Sequence, residues 1–130
     1  MENITPDYVD EEIKQLLYDK GFRFLLEDIQ LEEGGHLRAN YSLAEQRWNE
    51  GNLSYIDDLT IAIVVKWLYL KHNIWITVER NEIKSFIYWE FFIDKGFKVD
   101  DRFEIQSQYF WKTPKHAYLE AIKYTLTKLI

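Results

Sequence analysis

Residues Asp57–Asn73 read DDLTIAIVVKWLYLKHN, the most apolar run in the chain, and whether it is helix or strand decides the fold. From Ile61 to Leu70 only Lys66 is charged, so hydrophobic period alone does not separate a buried helix from a buried strand. The ends do. Asp57, Asp58 and Thr60 supply N-cap oxygens and negative charge, while Lys71, His72 and Asn73 supply positive charge and a residue that tolerates left-handed backbone. The run is too long for an ordinary strand, and a membrane span needs roughly 20 apolar residues without a lysine among them. The expectation is a buried helix from Asp58 to His72 with Ile61, Val64, Val65, Leu68 and His72 on one face. Its β-branched residues give poor intrinsic propensity, so tertiary packing must hold it.

Downstream, Ile74-Trp75-Ile76-Thr77-Val78 alternates, which is the period of a half-buried strand with Ile74, Ile76 and Val78 inward. Arg80-Asn81-Glu82 predicts a turn. The stretch Ile83 to Asp94, IKSFIYWEFFID, predicts the longest strand, with Ile87, Trp89, Phe91 and Ile93 inward and Lys84, Tyr88 and Glu90 outward. After Asp94-Lys95-Gly96 and a polar KVDD loop, Phe103 to Trp111 predicts a third strand with Phe103, Ile105, Tyr109 and Trp111 on one face. Thr113-Pro114 is an N-cap followed by proline at the first helical position, and Tyr118, Ala121, Ile122, Thr125, Leu126 and Leu129 trace a helical stripe.

Upstream, Thr5-Pro6 carries the same cap-plus-proline device, Val9, Ile13, Leu16 and Leu17 follow at helical spacing, and Gly21 suits a left-handed stop. Gly34-Gly35 forces a turn, and a hairpin of about residues 22 to 30 with 37 to 43 competes with a long excursion covering the sheet. Ser42 with Glu45 has capping-box spacing and predicts a short helix. The fold class is therefore α+β: an N-terminal helix and a hairpin or irregular segment, then α-β-β-β-α with a three-stranded antiparallel sheet covered by helices in two layers. One domain over 1–130 is expected, with 1–56 as the acidic segment and 57–130 as the core.

The 130 residues suffice to bury roughly two thirds of the unfolded chain's surface. With no cysteine there is no disulfide, thiolate metal site or cysteine nucleophile. The acidic opening MENITPDYVDEE lacks the apolar stretch of a secretion signal, so a cytoplasmic location is expected. Residues 1–56 hold 12 acidic and 5 basic side chains and residues 57–130 hold 10 and 11, an imbalance that argues against a general nucleic-acid binder.

No catalytic constellation is legible. His36, His72 and His116 are not at metal-ligand spacing, and the acidic pairs Glu32-Glu33, Asp57-Asp58 and Asp100-Asp101 read as solvated loops or caps. Neither a nucleophile elbow nor a phosphate-binding glycine loop is present. The expectation is a protein without enzymatic activity, metal or cofactor.

What stands out is aromatic content: 22 side chains, more than a core of this size hides. Alternation puts Phe86, Tyr88 and Phe92 on the outer face of the long strand with Phe110 beside them, and Trp75 outward on the preceding strand. Either the N-terminal segment covers this face or a second subunit does. Trp75 with Tyr88 would make an aromatic anchor of the kind that dominates interfaces.

The segments AIVVKWLYLKHNIWITV and TPKHAYLEAIKYTLTKLI, with the aromatic meander between, resemble a group of small uncharacterised proteins from Bacteroides-type gut bacteria and their phages. The shared features are Asp19-Lys20-Gly21-Phe22, Lys66-Trp67-Leu68, His72-Asn73-Ile74, and a last helix built as Glu-Ala-x-x-x-x-Leu-x-x-Leu-Ile. The resemblance skips residues 23 to 56 and departs at Lys115-His116-Ala117-Tyr118, where the group has Tyr-Glu-Glu-Ala. It implies a mobile-element context, and so a host-cell cytoplasm, but no activity or site residue.

The preferred expectation is a non-enzymatic interaction protein of phage or mobile-element origin that binds a host or phage protein, or itself, through the aromatic sheet face. Two alternatives remain. The α-β-β-β-α order is also that of double-stranded RNA-binding domains, with Lys112, Lys115 and Lys123 as phosphate contacts. A protein that sequesters a small molecule or nucleotide would need an aromatic pocket with basic groups such as Arg80 and Lys84. No membrane association is expected, and the packed core is expected to leave no hollow for chemistry.

Overall fold

In the computed structural model, which describes residues 7–24, 30–31, 37–38, 42–96 and 103–130, the backbone at 7–9 runs extended and antiparallel to 59–61. Tyr8 bridges Thr60, the Val9 N–H donates to the Leu59 carbonyl at 2.9 Å, and the Ile61 N–H donates to the Asp7 carbonyl at 2.9 Å. This short clasp corrects two helix starts. α1 (Glu11–Asp19) is capped by Asp10, whose carboxylate accepts from the Ile13 N–H, because residues 7–9 are committed to the clasp; Thr5-Pro6 lies outside the described residues. α1 stops at Gly21, whose φ of +93° is the left-handed geometry that glycine permits.

Of the hairpin that is one of two readings for this region, β1 (Gln30–Leu31) pairs with β2 (Leu37–Arg38), but Phe22–Phe24 form no strand and Leu43 already begins a helix; Gly34-Gly35 lies outside the described residues. α2 (Leu43–Asn49) begins with the predicted capping box: the Glu45 N–H donates to Ser42 Oγ at 3.1 Å, and the Ser42 N–H to Glu45 Oε1 at 3.5 Å. Trp48 on α2 is fully buried and donates its indole N–H to the Phe22 carbonyl at 2.9 Å. Its ring meets Phe22 and Phe24 edge-on, and Phe22 in turn meets Trp67, so α2 docks against the end of α1 and the helix that follows. Among the described residues, the N-terminal segment thus joins the helical layer and leaves the outer sheet face open.

α3 (Ile61–His72) is the helix read from the central run, three residues shorter at its start than expected. Thr60 is the cap, its hydroxyl accepting from the Ile63 N–H, and Asn73 ends the helix in left-handed backbone at φ 53°. Asp57 and Asp58 stay in the exposed loop because Leu59 is held extended by the clasp. Ile61, Val64 and Leu68 are buried as predicted, but the helix is not buried all round: Ile63, Tyr69 and Leu70 face outward.

The sheet is an antiparallel meander in the order β3-β4-β5, with β4 in the middle. β3 (Ile74–Ile83) and β4 (Phe86–Lys95) pair from Ile74↔Lys95 to Ile83↔Phe86, so the turn is Lys84-Ser85 and not the expected Arg80-Asn81-Glu82. Both turn residues have positive φ, 47° and 71°, the geometry of the two-residue hairpin turn whose twist matches the strands. Lys84 is therefore in the turn and off the strand. β5 (Phe103–Gln106) ends five residues before the expected boundary. The Ser107 N–H donates to the Phe91 carbonyl, and Trp111 next pairs with Trp89, so three residues, Gln108 to Phe110, oppose the single Glu90. That loop leaves Tyr109 71 % exposed, although it borders the same hollow as Ile105 and Trp111, the residues with which alternation groups it.

α4 (Pro114–Tyr124) has the predicted Thr113 cap, with its hydroxyl accepting from the His116 N–H, and the predicted proline. A wider turn at Thr125–Leu129 ends the chain's helical part. Ala121, Ile122 and Leu126 are buried in one cluster with Ile74, Ile76, Phe91 and Ile93 of the sheet and Ile13 and Leu17 of α1. The architecture is α+β, with the helices on one face of the three-stranded sheet. Ile87, though on the inner face, stays exposed next to the β3–β4 turn.

Candidate functional site

Strand alternation carries odd-numbered β3 residues and even-numbered β4 residues to the outer face, where the register sets Ile83 beside Phe86, Asn81 beside Tyr88 and Thr77 beside Phe92. The rings of Phe86 and Tyr88 lie 6.3 Å apart and those of Tyr88 and Phe110 6.2 Å, both tilted, which makes a continuous aromatic ladder. Phe86 is 64 % exposed and Phe110 40 %, with Tyr88 half-buried between them. Ile83, paired with Phe86, extends the apolar surface at its rim.

The other expected members are not part of this ladder. Phe92 is on the same face but half-buried, and Glu90 intervenes. Glu90 is on the outer face as expected, opposite Glu79, but it is only 7 % exposed and accepts a hydrogen bond from Gln106 Nε2 at 3.2 Å. Trp75 is paired six positions away from Asn81, about 20 Å along the strand, so it forms no anchor with Tyr88. It packs instead edge-on against Tyr69 of α3, with ring centroids 5.2 Å apart. Sequence alternation could not anticipate this partner, because Tyr69 belongs to a helix that alternation says nothing about.

Trp75 and Tyr69 line a groove of about 600 Å³ between α3 and β3, floored in part by Tyr118. A second hollow of about 460 Å³ lies between β5 and α4, lined by Phe91, Tyr109, Trp111, Tyr124, Glu120 and Lys123 among others. The expectation of no hollow is thus corrected: helices that cover a short sheet from one side leave gaps at both of its edges. Neither Arg80 nor Lys84 lines these two spaces. Arg80 is 3.5 Å from Glu82.

Of the lysines expected to grip phosphate, Lys112 and Lys115 are exposed. Lys123 turns toward α1, with Nζ 3.3 Å from Asp10 and 3.2 Å from Glu12. Burial works against its charge, but the hydrogen bonds and charges of Glu12 and Asp10 outweigh that, and the Lys123 pKa is raised. Its positive charge is therefore spent on α1 acids.

His72 packs on Trp67 with ring centroids 4.9 Å apart; burial, with a smaller push from Lys95, lowers its pKa. His116 lies 3.5 Å from Glu120 at the start of α4, and His36 is outside the described residues. Asp57-Asp58 is exposed, while Glu32-Glu33 and Asp100-Asp101 are outside the described residues. Among the described residues, no group of three or more His, Asp or Glu side chains is placed to hold a metal ion, and no helix is long and apolar enough to cross a membrane.

One interior charge had no signal in the sequence. Lys14 of α1 is almost wholly buried, with Nζ donating to the Ile56 carbonyl at 2.8 Å and lying 2.7 Å from Glu11. It ties α1 to the segment leading into α3. Comparison with known proteins finds no match to any family model, any curated protein or any solved structure.

Proposed function

We propose that this chain is a small non-enzymatic interaction protein, of phage or mobile-element origin, that binds a host or phage protein or a second copy of itself through the outer face of its sheet. The observation that carries the reading is the Phe86–Tyr88–Phe110 ladder: neighbouring rings, two on β4 and one on the loop after β5, with no described segment over them. Aromatic side chains bring large contact area at low entropic cost and dominate interface energetics. Glu79, Glu82 and Arg80 around the hairpin supply a charged rim. The duplex RNA alternative loses one of its three cations to Asp10 and Glu12.

The test is sedimentation equilibrium and partner capture with the wild type and with Phe86→Ser/Phe110→Ser. These positions are exposed, so the double variant keeps its melting temperature while losing self-association or the captured partner. A wild type that is monomeric at all concentrations and captures nothing from host or phage lysate refutes the reading.

A further inference from the structure

The groove between α3 and β3 is a separate surface from the aromatic ladder, and its construction identifies an occupant. Trp75, Ile76 and Thr77 all line it, although consecutive strand residues point to opposite faces. Only the edge of a strand presents both parities together, so the groove runs along the free edge of β3. Among the described residues β3 pairs with β4 alone, which leaves the other row of backbone N–H and C=O groups on β3 without a strand partner. On the opposite wall, Ala62, Val65 and Tyr69 of α3 form a single helical stripe. From Ile61 to Tyr69 that wall is about 12 Å long at the helical rise, the length of about four residues of extended chain.

Open strand edges invite pairing, and proteins usually blunt them with charge or proline. β3 does this over its outer half, where Glu79, Arg80 and Glu82 stand. Beside the groove, Ile74-Trp75-Ile76-Thr77-Val78 carries no charge and no proline. The half of the edge left unblunted is the half that faces the helix.

We infer that this groove takes an extended peptide segment of another protein, added as a strand to the edge of β3, with its alternate apolar side chains against Ala62, Val65, Tyr69, Trp75 and Tyr118. Main-chain hydrogen bonds to β3 give the affinity, and the mostly apolar space of about 600 Å³ selects the side chains. A helix would present no free backbone groups to the edge. A highly charged segment would strand its charges against aromatic walls, with only Asp7 and Lys66 at hand.

The experiment titrates the ¹⁵N-labelled full chain with a library of octapeptides that carry an apolar residue at every second position. The expected result is shifts at Ala62, Val65, Tyr69, Trp75 and Thr77, and selection for aliphatic or aromatic residues at the alternating sites. N-methylation of one alternate set of peptide nitrogens in the best binder abolishes binding, and N-methylation of the other set spares it. Ala62→Arg, at an exposed position, keeps the fold and weakens binding about tenfold or more, whereas Phe86→Ala leaves it unchanged and so separates this site from the ladder. Binding unaffected by either methylation pattern, shifts confined to the ladder, or no shift at millimolar peptide would overturn the assignment. So would a wild-type dimer that Ala62→Arg converts to monomer, since a second copy would then fill the groove.

Discussion

Leu68 and Leu70 are two residues apart on α3 and chemically identical, yet Leu68 is 0 % exposed and Leu70 63 %. Leu68→Ala removes methyl groups from the buried cluster that Leu68 shares with residues of α1, β3, β4 and α4, and leaves a cavity that neighbours held by other elements do not readily fill. Such a truncation costs about 3 kcal/mol. For a chain of 130 residues, an unfolding entropy of about 2.1 cal/mol/K per residue converts that loss to a fall of about 11 °C in Tm. Leu70→Ala deletes no buried contact and places the best helix former at an exposed position, so its effect stays within about 0.5 kcal/mol, or about 2 °C. Differential scanning calorimetry on both variants, at low concentration so that association does not contribute, reads the difference directly. Equal falls in Tm, or a larger one for Leu70→Ala, would show that α3 is buried on the other face or all round, and the packing described above would be wrong.

Three further outcomes follow from particular residues. Replacing Lys84-Ser85 with Asn-Gly, the pair suited to positive φ at both turn positions, should raise stability by about 1 kcal/mol in thermal or denaturant unfolding; a loss would mean the hairpin does not turn there. Because burial and Lys95 lower the His72 pKa, the folded chain resists the proton that the unfolded imidazole accepts near 6.5. The stability this contributes is complete above that pH and is lost as the pH falls through 6.5 toward the folded-state value, so His72→Gln should flatten the acid side of the stability curve. Lys14→Ala leaves the buried Ile56 carbonyl without its donor and should cost about 2 kcal/mol in urea unfolding; an unchanged midpoint would show that the lysine is solvated.

The helices were legible because their ends are written locally. Ser42, Thr60 and Thr113 each cap a helix with a hydroxyl that reaches only a few residues, and Asn73 stops α3 by its own backbone preference. The clasp between 7–9 and 59–61 was not legible, since it joins segments about fifty residues apart with no distinctive residue in either, and it moved both helix starts. The hairpin turn was missed for a different reason: Lys84-Ser85 lacks the glycine or asparagine that usually marks positive φ, while Arg80-Asn81-Glu82 looks polar enough to turn but pairs within the ladder. The same limits apply at the surface. Alternation placed Phe86, Tyr88 and Phe110 together correctly, because they share one local period and one adjacent loop. It could not find the groove, which needs α3, β3 and α4 in three dimensions, nor the hydrogen bond that joins Glu90 to Gln106 across the sheet.

The chain's lack of cysteine makes the openness of the outer sheet face directly measurable. Phe86→Cys, labelled with a thiol reagent at protein concentrations too low for association, should react at close to the rate of an unstructured thiol peptide and slow as concentration rises or a captured partner is added. A thiol at position 86 that is already slow in the dilute, folded monomer would mean that the chain covers this face itself, and the ladder would then be core and no longer a binding surface.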